Sequence, residues 1–169
     1  NRWRSFTLSV NYRTPAQIME ASSGVLAEIN PTAQQPRSIR RSAYDVELID
    51  RADNTWLVVL QQTVHHMQNF HPGEKRTCGI LVSPAVMGDL QAVMDTTILD
   101  RTVLDAAVSL VQDAKGLEFD YVIIADPVGM VEASPQGLND LFVAMTRATQ
   151  ALAIVHDGAV PYCLSDLVE

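Results

Sequence analysis

Residues 106–125 read AAVSLVQDAKGLEFDYVIIA, and this stretch gives the strongest indication of the fold. It holds two continuous apolar runs, Ala106–Val111 and Tyr121–Ala125, on either side of a short polar segment. Apolar runs of this length without polar alternation are typical of strands that are covered on both faces, as in parallel sheets. The sequence therefore predicts a central, mainly parallel sheet.

Strand-like and helix-like patterns alternate on both sides of this stretch. The other predicted strands are Phe6–Val10, Tyr44–Ile49, Cys78–Val82 and Ala151–Val155. Helices are predicted from Thr14-Pro15 to Ile29, from a cap at Asp53, Asn54 or Thr55, from Pro84, and over Gln136–Ala148. This alternation predicts an α/β sandwich with right-handed crossovers.

The first helix carries the clearest start signal. Thr14 stands where a cap residue is expected, Pro15 stands at the first helical position, and Gln17 has the spacing of a capping box. We therefore expect the Thr14 side chain to accept a hydrogen bond from the first turn.

Composition limits the organisation and the partners of the chain. A length of 169 residues with 47% apolar composition suffices for one core and is short for two, which predicts a single domain over residues 1–169. The net charge of −8 argues against a broad basic surface, so any contact with nucleic acid must be local or shared with other parts of the protein. A polar stretch, Thr32–Ser42, carries Arg37, Arg40 and Arg41, which we interpret as a solvated loop.

Several classes of protein are not indicated. Cys78 and Cys163 form no zinc or disulfide pattern, which favours a reducing, cytoplasmic compartment. No apolar run approaches the roughly 20 residues that cross a bilayer, so no membrane partner is predicted. The neighbouring histidines have no completing ligands for a metal; they are His65, His66 and His71. Because the chain begins without an initiator methionine, we expect it to be part of a longer protein.

The first segment with functional chemistry is Leu8–Thr14, where a predicted strand ends and a helix begins. Ligands of α/β proteins bind at such turns. Arg13 offers a planar fork for phosphate oxygens, and Tyr12 offers a flat face on which a base can stack. The alternative is that Tyr12 fills a crevice and Arg13 pairs with a surface acid.

The second segment, Gln112–Asp120, lies between the two apolar runs. Gly116 allows an unusual backbone angle or a close approach, and Glu118 can accept hydrogen bonds from the hydroxyls of a sugar. The alternative interpretation is a charged turn that only joins two strands.

The third segment is Leu141–Ala148, in the last predicted helix. Helical periodicity places Arg147 opposite the apolar stripe, so that it projects outward. The stripe consists of Leu138, Leu141, Phe142 and Met145. Arg147 either complements the helix dipole, which favours a cation by roughly 0.3–1 kcal/mol, or acts as an arginine finger towards a γ-phosphate.

Together these segments resemble the motifs of the second RecA-like domain of superfamily 1 helicases of the UvrD/Rep group. NYRT, AKGLEF and LFVAMTRA correspond in order to the fourth, fifth and sixth motifs of that family. The resemblance implies a RecA-like three-layer sandwich that forms part of an ATP site. It further implies that Tyr12 stacks near the adenine and that Arg13 reaches the γ-phosphate. Glu118 would hold the ribose with Gly116 beside it, and Arg147 would be the finger.

The same resemblance indicates what this chain does not supply. No GxxxxGKT phosphate loop and no acidic magnesium motif occur in the sequence. In the family, both belong to an N-terminal RecA-like domain, so that domain of the same polypeptide is the expected partner and holds the Mg of the bound ATP. The isolated chain is therefore expected to be inactive as an ATPase.

Two departures from the family pattern narrow the resemblance. DNA-translocating members have a threonine and a histidine where this chain has Leu110 and Gln112, which places direct tracking along DNA in doubt. The stretch between Thr14 and Ala114 is also too short for an inserted accessory domain. In both respects the chain resembles the HelD-like (helicase IV-like) ATPases of actinobacteria, which bind RNA polymerase.

Two functions remain open at this point. The first is the motor domain of an ATP-dependent DNA helicase or translocase, with DNA, and in a HelD-like protein RNA polymerase, as partners. The alternative is a non-catalytic docking module of a HelD-like polymerase-binding protein.

Overall fold

A sheet of five parallel strands forms the centre of the computed structural model, which describes residues 10–94 and 107–168. The described strands are β1 (Val10–Asn11), β2 (Arg37–Ser38), β3 (Glu47–Asp50), β4 (Cys78–Val82), β5 (Ala107–Leu110), β6 (Phe119–Ala125) and β7 (Ala148–His156). The sheet has the order β3-β7-β6-β4-β5, and β1 and β2 form a separate parallel pair. The predicted parallel sheet is confirmed.

Helices cover both faces of this sheet. They are α1 (Ala16–Ala21), α2 (Ser23–Ile29), α3 (Trp56–Gln68), α4 (Pro84–Met94), α5 (Pro127–Glu132), α6 (Gly137–Met145) and a 3-10 helix (Tyr162–Leu167). Alternate residues of β6 enter two cores: Val122 and Ile124 pack with α1, α2 and α6, whereas Ile123 packs with α3 and α4. Each fully buried isoleucine of this kind stabilises the fold by roughly 1.5–3 kcal/mol. The three-layer α/β sandwich is therefore confirmed.

The two apolar runs behave differently in the sheet. Residues Tyr121–Ala125 are buried on both faces, as predicted. In contrast, Ala107 is exposed and Val108–Leu110 are only partly buried, because β5 is an edge strand whose partner in the sheet is β4. The prediction of cover on both faces is thus wrong for β5.

The start of the first helix also differs from the prediction. Pro15 is the cap residue, α1 begins at Ala16, and no side chain caps it. Gln17 instead exchanges two hydrogen bonds with Ser42: its amide nitrogen donates to the Ser42 carbonyl (2.6 Å), and its amide oxygen accepts from the Ser42 N–H (3.0 Å). The predicted capping box is therefore wrong, because a tertiary contact uses the glutamine.

Other boundaries shift by a few residues. The predicted helix from Pro15 to Ile29 is interrupted at Ser22 and forms α1 and α2. The predicted loop Thr32–Ser42 contains β2, and of the predicted strand Phe6–Val10 only Val10 lies among the described residues. Thr55 is the cap of α3 and accepts from the Val58 N–H (3.4 Å).

The last helix is shorter than predicted. It ends at Met145 with Thr146 as its cap, and Ala148 already belongs to β7. Arg147 therefore lies in the turn between α6 and β7 rather than on the helix. Within the described part of the chain, no helix has the length and apolar character needed to cross a bilayer.

Candidate functional site

A cleft of about 490 Å³, here called the first cleft, lies where the first and third segments meet. Tyr12, Arg13 and Arg147 all line it. Arg147 lies 134 positions after Arg13, so only the fold brings it to Tyr12 and Arg13. Tyr12 is 72% exposed, so the alternative that it fills a crevice is wrong. Its ring is free to stack on a ligand.

The turn that presents Tyr12 and Arg13 is held by Asn11, the last residue of β1. The side-chain oxygen of Asn11 accepts hydrogen bonds from the backbone N–H groups of Arg13 (2.9 Å) and Thr14 (3.1 Å). An asparagine that bonds its own following backbone favours a tight turn over a continued strand. The turn is therefore fixed while the two functional side chains extend from it.

An ion pair joins the first segment to the second. Arg13 Nη1 contacts Glu118 Oε1, and the two side chains are 63% and 35% exposed. A pair with this exposure contributes at most about 1 kcal/mol, because water and salt screen it. This contact is the acid pairing that the alternative interpretation predicted for Arg13, and it is weak enough for an anionic ligand to replace.

The loop of the second segment is built on tight turns. The Ala114 N–H donates to the Val111 carbonyl and the Leu117 N–H donates to the Ala114 carbonyl, both at 3.1 Å. Ala114 is fully buried, and Gly116 has a φ of 85°, which a glycine adopts without strain. These features place the Leu117 carbonyl and the Glu118 side chain beside the two arginines.

Arg147 folds back onto the protein rather than projecting outward. Its Nε donates to the Val143 carbonyl (3.3 Å) and its Nη1 donates to the Leu117 carbonyl (3.2 Å). The predicted outward projection is therefore wrong, since Arg147 follows the helix end instead of lying on the helix. The bond to Val143 is the interaction with the helix C-terminus that the dipole interpretation predicted. Two of the five N–H groups of the guanidinium are used in these bonds.

Leu110 and Gln112, the two positions that depart from the family pattern, both have structural roles within this domain. The Gln112 amide donates to Asp140 Oδ2 (2.9 Å), and Asp140 is 8% exposed in the first turn of α6. Leu110 is a half-buried residue of β5. Gln112 thus fastens the loop of the second segment to the helix that precedes Arg147.

Asp120, at the end of the second segment, fastens β6 to the start of β4. Its carboxylate accepts from the backbone N–H and the hydroxyl of Thr77, both at 2.9 Å, and from Arg76 (3.2 Å). Burial alone would raise the pKa of Asp120, but these hydrogen bonds together lower it below the ordinary value. Asp120 therefore has a structural role away from the first cleft.

Sequence reasoning missed the apolar wall of the first cleft. Phe142, a member of the predicted apolar stripe, packs against the core, but it is only half-buried and also lines the cleft with Met19 and Pro36. A helical stripe does not distinguish a side chain that is wholly within the core from one that also reaches a cleft. Met19 and Pro36 carry no signal in the sequence, because they reach the cleft only through tertiary packing.

The first cleft thus combines two kinds of surface. Arg13 and Arg147 supply fixed positive charge with planar donors, which suit phosphate oxygens. Tyr12 and Phe142 supply flat aromatic surface beside it. Together they fit a ligand with an anionic end and an aromatic end.

Comparisons with known proteins concern the fold and the second and third segments. Residues 105–155 match the family described as the UvrD-like helicase C-terminal domain, a range that includes the second and third segments. The fold is similar to that of the C-terminal domain of a possible DNA helicase from Lactobacillus plantarum WCFS1, with a TM-score of 0.58, 18% identity and 92% of each chain covered. No curated protein matches the chain. The predicted resemblance to a UvrD-like helicase C-terminal domain is confirmed for residues 105–155.

Proposed function

We propose that residues 1–169 are the C-terminal RecA-like motor domain of a cytoplasmic, ATP-dependent DNA helicase or translocase. The chain then supplies one side of an ATP site. The observation that supports this most strongly is the convergence of three distant segments. Arg13 pairs with Glu118, and Arg147 donates to the neighbouring Leu117 carbonyl, beside a cleft that carries both cations and an aromatic ring.

Each residue of the site has a proposed role. Tyr12 stacks on the adenine, with Phe142 as a second apolar contact, and Glu118 accepts from the ribose hydroxyls while Gly116 keeps the loop in place. Arg13 and Arg147 hold the γ-phosphate oxygens and stabilise the charge that develops on them during transfer. Mg and the phosphate loop come from an N-terminal RecA-like domain of the same polypeptide.

Binding of ATP requires the Arg13–Glu118 pair to open, because Arg13 is assigned to the phosphate and Glu118 to the ribose. The exposure of both side chains keeps the cost of opening low. Closure of the other domain onto this site then moves the two domains relative to each other, as in other ATP-driven cycles.

Whether the motor acts on DNA or on RNA polymerase is a more specific part of the proposal. Gln112 is bonded to Asp140 and Leu110 lies in β5, which favours a HelD-like motor that acts on RNA polymerase over one that tracks DNA through these positions. A non-catalytic docking module is the second candidate. It is favoured by the contacts that Arg13 and Arg147 make within the chain, as residues with a purely structural role would.

ATP hydrolysis by the full-length protein tests the proposal. Arg147→Ala is expected to lower kcat by about a hundredfold or more, because it removes charge stabilisation from the transferring phosphate. Lys75→Ala is the matched control, since Lys75 is an exposed cation far along the chain from the three segments. Equal hydrolysis by wild type and Arg147→Ala, with equal unfolding temperatures, contradicts the role of Arg147. A wild-type protein that does not hydrolyse ATP contradicts the motor and leaves the docking module.

Single-stranded DNA distinguishes the two kinds of motor in the same assay. Stimulation of the wild-type rate by DNA supports a DNA translocase, whereas a rate that rises only with RNA polymerase supports a HelD-like motor.

A further inference from the structure

A second cleft, of about 510 Å³, adjoins the first one, and Met19 and Pro36 line both. Arg37 and Arg41 lie on its rim with the exposed side chain of Ile39 between them in the sequence. The two arginines belong to the stretch Thr32–Ser42, which we interpreted as a solvated loop. Their side chains are exposed, as that interpretation expects, and the backbone of the stretch is also hydrogen-bonded to neighbouring elements.

Several hydrogen bonds hold the backbone of this stretch against β1 and α1. The Ala16 N–H donates to the Arg40 carbonyl (2.8 Å), and the Ile39 N–H donates to the Asn11 carbonyl (3.2 Å). The Ser38 hydroxyl donates to the Thr14 carbonyl (2.6 Å). The arginine side chains are therefore presented from an ordered backbone, which lowers the entropy that a bound ligand must overcome.

Among the described residues that line the second cleft, two are arginines and one, Glu20, is a carboxylate, so the cleft has a net positive charge. Among the described residues, Arg37 has no ion pair, and Arg41 has one with Glu20 at 3.9 Å, in which both side chains are about 70% exposed. Arg37, Arg40 and Arg41 fall within five positions of a chain whose acids outnumber its Lys and Arg by 20 to 12. A local excess of exposed arginine on an acidic protein indicates an anionic ligand.

We infer that the second cleft binds the phosphodiester backbone of a single-stranded nucleic acid. The guanidinium forks of Arg37 and Arg41 match phosphate oxygens, and Ile39, at 61% exposure, offers an apolar contact for a sugar or a base. The concave shape suits a chain that runs through the cleft. The choice of nucleic acid over an acidic protein rests on the proposed function.

The pairing of β1 with β2 connects this cleft to the first one. Val10 is paired with Arg37 and Asn11 with Ser38 in a parallel register. Tyr12 and Arg13 follow β1 directly, so one strand pair carries residues of both clefts.

Fluorescence anisotropy of labelled oligothymidylate, without nucleotide, tests the inference on the full-length protein. The double variant Arg37→Ala/Arg41→Ala is expected to bind at least about tenfold more weakly at low salt. The slope of log affinity against log salt is expected to fall in magnitude by about 1.4, since each phosphate contact on a single strand contributes about 0.7. Arg40→Ala, a cation of the same stretch that does not line the cleft, is the matched control.

The lysine double variant, Arg37→Lys/Arg41→Lys, keeps the charge and is expected to keep the wild-type slope. An alanine variant with the wild-type slope, or a lysine variant with the alanine slope, overturns the inference. Displacement of the oligonucleotide by polyglutamate at equal charge concentration also overturns it, in favour of an acidic protein partner.

The two proposals fail in distinguishable ways. A protein that binds the oligonucleotide through Arg37 and Arg41 but does not hydrolyse ATP contradicts the proposed function alone. A protein that hydrolyses ATP but binds the oligonucleotide independently of these residues contradicts this inference alone.

Discussion

Replacement of Gly116 by alanine separates the backbone cost of the second-segment loop from its contribution to ligand binding. Gly116 has a φ of 85°, and no atom lies within 4 Å of the position that an added Cβ would take. The cost is therefore conformational: about 1–2 kcal/mol for a positive φ, less about 0.4–1 kcal/mol because alanine restricts the unfolded chain. A net loss of about 1 kcal/mol lowers the melting temperature by about 2–4 °C in a chain of this size.

Gly73 provides a matched control, since its φ is 82° and its surroundings are equally open. Gly73→Ala is expected to cost the same stability without any effect on the first cleft. Gly116→Ala also displaces the Leu117 carbonyl that holds Arg147, and the Glu118 side chain that pairs with Arg13. We therefore expect it to weaken ATP binding by about tenfold, because small misplacements of contact groups are costly.

Calorimetric unfolding and equilibrium binding of ATP to the full-length protein measure the two effects separately. The reasoning is refuted if Gly116→Ala binds ATP as tightly as Gly73→Ala does. It is also refuted if the two variants differ by much more than about 1 kcal/mol in stability, because their backbone conformations and free space are alike.

Three further predictions follow from local geometry. Glu118→Gln is expected to change stability by less than about 1 kcal/mol, since the ion pair of Glu118 is exposed. It is expected to weaken ATP binding about tenfold, because the ribose loses a charged acceptor; tighter binding in a titration contradicts the role. In denaturant unfolding, Gly137→Ala is expected to lower the free energy of unfolding by about 1–3 kcal/mol, because its Cβ would lie 2.0 Å from a carbonyl oxygen of α5. Gly88→Ala lies in open space within α4 and is expected to raise it by about 0.5–1 kcal/mol; equal midpoints refute both expectations. Burial raises the pKa of the Cys78 thiol from 9.0 to about 12, so the contribution of this thiol to stability is complete below pH 9 and is lost between pH 9 and 12. At pH 8, a thiol reagent is expected to modify the half-buried Cys163 in the native state and Cys78 only after unfolding.

The sequence predicted those parts of the fold that depend on periodicity. Residues Tyr121–Ala125 lack polar alternation because both faces of β6 are covered, and Cys78–Val82 follows the same rule in β4. The pair β1–β2 was not predicted, since strands of two residues are too short to show a period. The end of α6 was placed too late, because neither glycine nor proline follows Met145 to mark it.

The residues proposed for the site came from motif resemblance, and their contacts became known only from the structure. Motif resemblance selected five residues, of which Tyr12, Arg13 and Arg147 line the first cleft, whereas Gly116 and Glu118 are not among its lining residues. The Arg13–Glu118 pair and the bond from Arg147 to Leu117 depend on tertiary packing, so spacing along the chain carried no information about them. The placement among HelD-like proteins, and the identity of ATP as the ligand, stay predictions.

Photoaffinity labelling of the full-length protein with 8-azido-ATP, followed by peptide mapping, tests most directly whether the first cleft holds a nucleotide. An azide on the adenine reports which side chains surround the base. We expect a label on the peptide that contains Tyr12, and we expect unlabelled ATP to prevent it, because Tyr12 is the exposed ring of the cleft. A label that ATP prevents, but that is confined to peptides without Tyr12 or Phe142, would contradict the account.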